Sequence, residues 1–119
     1  MSTLKSGYQG LFNPAQVVTI ANGAQSSSYI AALGFVLCGF YTPAALTGTA
    51  MTFEVCDTPD GTFLPLKSTT SGTALSYTVA ASGYYAVDPK DFMGVSYLKI
   101  KSGSAEGAAR TIKLSLKGL

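Results

Sequence analysis

Six carboxylates supply whatever acid–base or metal chemistry this 119-residue chain has: Glu54, Asp57, Asp60, Asp88, Asp91 and Glu106. It contains no histidine, so the commonest general base and the commonest protein metal ligand are both missing. Asp57 and Asp60 bracket the stretch DTPDG and, as a pair, could hold calcium or work as acid and base. The same positions are where a turn favours aspartate, because its short carboxylate bonds nearby backbone N–H groups; we read them as turn residues. In DPKDF, Asp88 reads as the cap of a helical turn begun by Pro89, with Asp91 in the first turn. No EF-hand spacing is present. Serine and threonine are plentiful, but no hydroxyl has a base partner visible in the sequence. Cys38 and Cys56 lack the spacing of a zinc site and read as small apolar side chains in strands, free thiols in a reducing compartment, with a disulfide still open. The chain is expected not to be an enzyme and to use no cofactor or metal.

Two further groups could bind rather than react. Lys99 and Lys101, then Lys113 and Lys117, could line a basic stripe. They would neutralise only a few phosphates, and Tyr97 is nearly the only aromatic among them. With a net charge of +2, solvated sheet faces are the simpler account, and no nucleic-acid partner is expected. Seven tyrosines and no tryptophan raise a sugar-stacking site at Tyr84 and Tyr85. A strand would turn one of that adjacent pair inward, and core tyrosine is the plainer reading.

The elements that must position these groups are strands. In ARTIKLSLKGL, Ile112, Leu114 and Leu116 alternate with Thr111, Lys113, Ser115 and Lys117, a period of two with one buried face. VSYLKIKS repeats it with Leu98 and Ile100 inward and Lys99 and Lys101 outward. These two segments flank the small-residue loop GSAEGAA and should pair through it or sit in facing sheets. AMTFEVCDTPDGTFLPLKS reads as a hairpin, with Met51, Phe53 and Val55 on one face and Pro59 and Gly61 in the turn. LSYTVAASGYYAVD reads as a second, with Ser82 and Gly83 at the turn and Tyr77, Val79, Tyr85 and Val87 as facing partners. QVVTIANG, SYIAAL and GFVLCGFY add shorter strands, and TPAALTG is a loop. Eight or nine short strands with no sustained helical period predict an all-β fold, a single antiparallel β-sandwich, jelly-roll-like. Residues 1–13 carry no pattern and are expected to form an extended N-terminal arm, with 14–119 as the sandwich domain.

The first half of the chain is unusually averse to charge. No Asp, Glu, Lys, Arg or His occurs from Ser6 to Phe53, and charged residues total 12% against a usual ~25%. Tyr29 to Leu46 approaches the length of a membrane span. Gly34, Gly39 and Pro43 interrupt it, no Lys or Arg flanks it, and the remaining strands would lose their partners, so no membrane partner is expected. Lys5 followed by a polar, Gly- and Pro-broken stretch does not read as a secretory leader. Burial explains GFVLCGF; it does not explain an uncharged arm and uncharged loops. A charge-poor surface bearing exposed aromatics suits a protein–protein contact.

TPAALTGTAMTFEVCDTPDGTFLPL and GYYAVDPKDFMGVSYLKIKSGSAEGAARTIKLSLK, together with VVTIANGAQSSSYIAALGFVLCGFYTPAAL, resemble small β-sandwich virion proteins of tailed bacteriophages. The resemblance spans most of residues 16–117, rests on turn and core signatures, and transfers no catalytic residue. It implies a structural protein made in the host cytoplasm that decorates or cements the outer capsid surface, binding across seams of the major capsid protein or another virion protein, as a homo-oligomer. The contacts expected are Tyr8, Leu11 and Phe12 in the arm and Tyr41, Pro43, Ala44 and Leu46 at the first large loop. A glycan-binding or fibre-adhesion module of a virion is the alternative, using Tyr84, Tyr85 and the DTPDG carboxylates.

Overall fold

A computed structural model describes residues 15–118. The expected arm, with Tyr8, Leu11 and Phe12, lies outside them. Nine strands follow in order: β1 Ala15–Ile20, β2 Ile30–Ala31, β3 Phe35–Tyr41, β4 Ala50–Cys56, β5 Leu64–Pro65, β6 Ser76–Thr78, β7 Tyr84–Ala86, β8 Tyr97–Ser102 and β9 Arg110–Gly118, with a 3-10 turn at Pro89–Phe92. The first sheet runs β1-β9-β3-β7, the second β2-β8-β4-β5, and β6 shares the outer edge of β4 with β5. Every pairing is antiparallel.

The order has a simple origin. β1 pairs with β9, β2 with β8, β3 with β7, and β4 with β5 and β6. That is one long antiparallel ribbon whose successive rungs fall alternately in the two sheets. Rolling it up brings β9 beside β3 and β8 beside β4, which is the jelly roll. The segments β8 and β9 therefore sit in facing sheets.

Alternation fixes the core. Ile112, Leu114 and Leu116 of β9 and Leu98 and Ile100 of β8 are all buried, as are Met51 and Phe53 of β4. Phe40, Phe53 and Phe92 lie fully inside, with ring centroids 5.8 Å apart for Phe40–Phe53 and 5.0 Å for Phe53–Phe92, both edge-on. Each such ring removed from water contributes about 1.5–3 kcal/mol. β3 breaks the alternation. Leu37 stands opposite Leu116 and Gly39 opposite Ser115, so Cys38 is an extra residue in a bulge. Without that bulge, Leu37 and Phe40, three apart, would point to opposite faces; with it both enter the core. Both cysteines are free thiols.

One expected hairpin is not formed. Tyr77, Val79, Tyr85 and Val87 all face the core, but β6 pairs with β4 in one sheet and β7 with β3 in the other. The turn at Ser82, whose φ is +61°, carries the chain across the end of the sandwich instead of back along the same sheet. The DTPDG hairpin is formed, with Glu54 opposite Pro65 and Val55 opposite Leu64.

Candidate functional site

The outer face of the first sheet carries a row set by register. Val17 stands opposite Lys113, Lys113 opposite Tyr41, and Tyr41 opposite Tyr84. Val17 is 56% exposed, Tyr41 45% and Tyr84 46%. The two tyrosine rings lie 4.5 Å apart, and the Lys113 ammonium stands 5.6 Å from the centre of the Tyr41 ring. The neighbouring row is Ser115, Gly39 and Ala86. Tyr84 lies over Gly39, where any β-carbon would collide with its phenol and with the Tyr85 carbonyl. The absent side chain at Gly39 is what lets the Tyr84 ring lie down beside Tyr41. No carboxylate occurs in β1, β3, β7 or β9.

Of the contacts expected near the first large loop, Tyr41 and Ala44 are exposed and Pro43 is half-buried. The Pro43 carbonyl accepts a 2.8 Å bond from the Ser82 N–H. Leu46 packs against the core, so its own fold already claims much of it. Val17 is legible as an outward residue from the alternation in QVVTI. Its alignment with Lys113, Tyr41 and Tyr84 depends on pairings between distant segments and has no local signal. Of the sugar-stacking pair, Tyr85 turns inward, stacking on Phe40 at 5.7 Å with its hydroxyl oxygen accepting from the Ala80 N–H at 2.8 Å; only Tyr84 faces solvent. The second sheet has its own outer aromatic group, Tyr29 beside Phe63 and Tyr97 at 6.1 and 5.8 Å, with the Lys99 ammonium 4.4 Å from the Phe63 ring. The lysines therefore form no single stripe: Lys99 and Lys101 belong to β8, Lys113 and Lys117 to β9, on opposite sheets.

The carboxylates sort by place. Asp88 caps the 3-10 turn, its Oδ1 accepting from the Lys90 N–H at 3.0 Å. Asp57 and Asp60 lie in the loop after β4, and Asp88 and Asp91 in the connection before β8. Cys56 pairs with Tyr97, so both loops leave the same end of the sandwich. There they flank a pocket of about 500 Å³ with an apolar side of Val55, Leu64, Leu66 and Val95 and with Asp57 and Asp91 in its wall. Among the described residues no group of three or more His, Cys, Asp or Glu side chains could hold a metal ion, and no helix is long and apolar enough to cross a membrane.

Glu106, hidden in the small-residue loop, is the carboxylate the sequence least advertises. It is 1% exposed. Oε1 accepts from Thr47 N at 2.8 Å and Arg110 Nε at 2.9 Å; Oε2 accepts from Gly48 N at 2.9 Å and Ser102 Oγ at 2.6 Å. Its own N–H and C=O bond Ala24 and Gly23. One residue thereby ties the β1–β2, β3–β4 and β8–β9 loops together. Burial on its own would raise the Glu106 pKa, but the bonds from Ser102, Thr47, Gly48 and Arg110 outweigh it and hold the carboxyl at about 2. Every lone-pair direction is engaged, so Glu106 is a structural clamp and not an acid or base.

The fold and these surfaces define a jelly-roll sandwich with exposed aromatic faces. No protein-family model and no curated protein matches the sequence. The fold is similar to the crystal structure of the SPBc2 prophage-derived protein YomS, with a TM-score of 0.53 and 14% sequence identity, over 88% of this chain and 95% of that chain.

Proposed function

We propose that this chain is a structural virion protein that decorates or cements a tailed-phage capsid, on the outer surface, across seams between capsid subunits. The observation that carries the reading is the match in fold, over nearly the full length of both chains, to a prophage-derived protein. The sequence resemblance to small phage virion sandwiches and the charge-poor first half with its half-exposed Tyr29 and Tyr41 support it. A cement protein acts by mass action: binding the assembled shell and not its separate parts stabilises the shell, and many copies on a lattice gain avidity. Tyrosines held against their own sheet cost little entropy when they dock. Co-sedimentation of the purified chain with shells that lack it tests the reading. Saturable binding, with later heat release of the shell contents, is expected; shells that neither bind it nor gain stability would overturn it. A glycan-binding or fibre-adhesion module is the alternative. The half-exposed Tyr29 ring beside Phe63 and Tyr97 favours it, and a glycan array with and without calcium separates the two.

A further inference from the structure

The charges of this molecule are divided unevenly by the fold. Four of its six carboxylates, Asp57, Asp60, Asp88 and Asp91, stand in the two loops at one end, with Lys90 among them, so that acid outnumbers base there. The strands of the first sheet hold cations and no carboxylate. Tyr41 is the last residue of β3 and Tyr84 the first of β7, and the 42–49 loop carries the chain from that end of β3 into β4. β4 then runs the length of the sandwich to Cys56 and the acidic loops. The tyrosine pair and the acidic pocket thus lie toward opposite ends.

The two features also match in chemistry. Tyr41 and Tyr84, 4.5 Å apart and half-exposed, with the Tyr84 ring over Gly39, make an aromatic knob flanked by the Lys113 ammonium. The pocket offers about 500 Å³ with Leu64 and Leu66 on its apolar side and carboxylates from both loops. Exposed Leu64 and Met93 extend apolar surface at the same end. We infer that copies of this chain associate head to tail, the Tyr41–Tyr84–Lys113 knob of one seated in the Asp57–Asp91 pocket of the next. A face-to-face pairing of two first sheets would set lysine against lysine, whereas knob on pocket sets lysine against aspartate. Such a contact joins unlike surfaces, so it closes into a ring when the rotation between copies divides the circle. Self-association of this kind needs no shell and is independent of shell binding.

The test uses the full chain without shells, by sedimentation velocity from about 1 to 100 µM. The unaltered protein is expected to associate, more weakly at high salt. A knob variant (Lys113→Glu with Tyr84→Ser) and a pocket variant (Asp57→Lys with Asp91→Lys) should each weaken association about tenfold or more. Each retains one good surface, so their mixture should form 1:1 dimers that grow no further. Circular dichroism and melting of each variant should match the unaltered protein; Lys113→Glu alone replaces the knob variant should Tyr84→Ser loosen the sheet. A chain that stays monomeric throughout, variants that associate as the unaltered protein does, or a mixture that does not pair would each overturn the inference. None of these outcomes bears on co-sedimentation with shells, so the two ideas fail separately.

Discussion

Replacing Glu106 by glutamine keeps the shape of the clamp and removes its charge. The carboxyl is held from an ordinary 4.5 down to about 2. At about 1.4 kcal/mol for each tenfold change in proton affinity, that depression is worth roughly 3 kcal/mol of folding stability. The hydrogen bonds give a similar figure by a separate route. All four partners of the carboxylate donate: Thr47 N, Gly48 N, Ser102 Oγ and Arg110 Nε. A glutamine amide must point its NH₂ at two of them. If it faces Ser102, that hydroxyl can rotate to accept, but the Gly48 N–H is left against another donor. A buried donor without a partner costs about 1–3 kcal/mol, and the charge-assisted part of the remaining bonds is lost as well.

The pH dependence supplies the sharper test. A carboxyl whose folded pKa is depressed stabilises fully above its unfolded value and loses that contribution as pH falls toward its folded value. The difference between the unaltered protein and Glu106→Gln should therefore be about 3 kcal/mol at neutral pH, shrink below pH 4.5 and nearly vanish near pH 2. Urea denaturation followed by far-ultraviolet circular dichroism, repeated across that range, measures it. Taking the difference cancels the titration of the other five carboxylates. A gap under about 1 kcal/mol at neutral pH, or one that persists undiminished to pH 2, refutes the account of the clamp.

Gly48→Ala should destabilise by about 1–3 kcal/mol in the same assay, because a β-carbon there would run into Ser102 Oγ and come within 3.2 Å of Glu106 Oε2; an unchanged midpoint would show that the loops yield. Phe40→Ala should cost about 3–5 kcal/mol, since its fully buried ring meets Phe53, Tyr77 and Tyr85; urea denaturation reads it, and a loss under about 1 kcal/mol would deny the ring its central place. Deleting residues 1–13 should leave the melting temperature nearly unchanged yet weaken co-sedimentation with shells; equal affinity would remove the arm from the contact.

Strand faces are legible in the sequence wherever alternation is local. Lys99 and Lys101 around Ile100, and Lys113 between Ile112 and Leu114, mark the wet side of each strand by period alone. Short-range turn chemistry is equally plain in the Asp88 cap and the DTPDG hairpin. Partnership is not. Tyr77 and Tyr85 face the same core, but a hairpin within one sheet and a crossing between two sheets give identical alternation. Only the pairing of β6 with β4 and β7 with β3 decides. The Cys38 bulge and the Glu106 clamp are hidden for the same reason: Cys38 is defined by a slip against β9, and Glu106 finds its backbone donors 58 and 59 residues away.

The long uncharged run acquires a physical meaning once the ribbon is rolled. From Ser6 to Phe53 it supplies β1, β2, β3 and all but the end of β4. Because successive strands alternate between sheets, its inward residues (Val18, Ile20, Ile30, Leu37, Phe40) fill the core from both sides. Its outward residues are likewise divided: Val17, Thr19 and Tyr41 go to the first sheet, Tyr29 and Ala31 to the second. Among the strands, charge then reaches the first face only from β9 and the second only from β4 and β8. On the second face Glu54 stands opposite Lys99 in the ladder and accepts from Ser26 at 2.7 Å, so the strands of that face carry both signs of charge. The strands of the first face have lysines but no acid of their own. Such a face suits a partner that brings carboxylates together with apolar groups, a stricter demand than hydrophobicity alone, and it is this demand that the head-to-tail contact inferred above is built to satisfy.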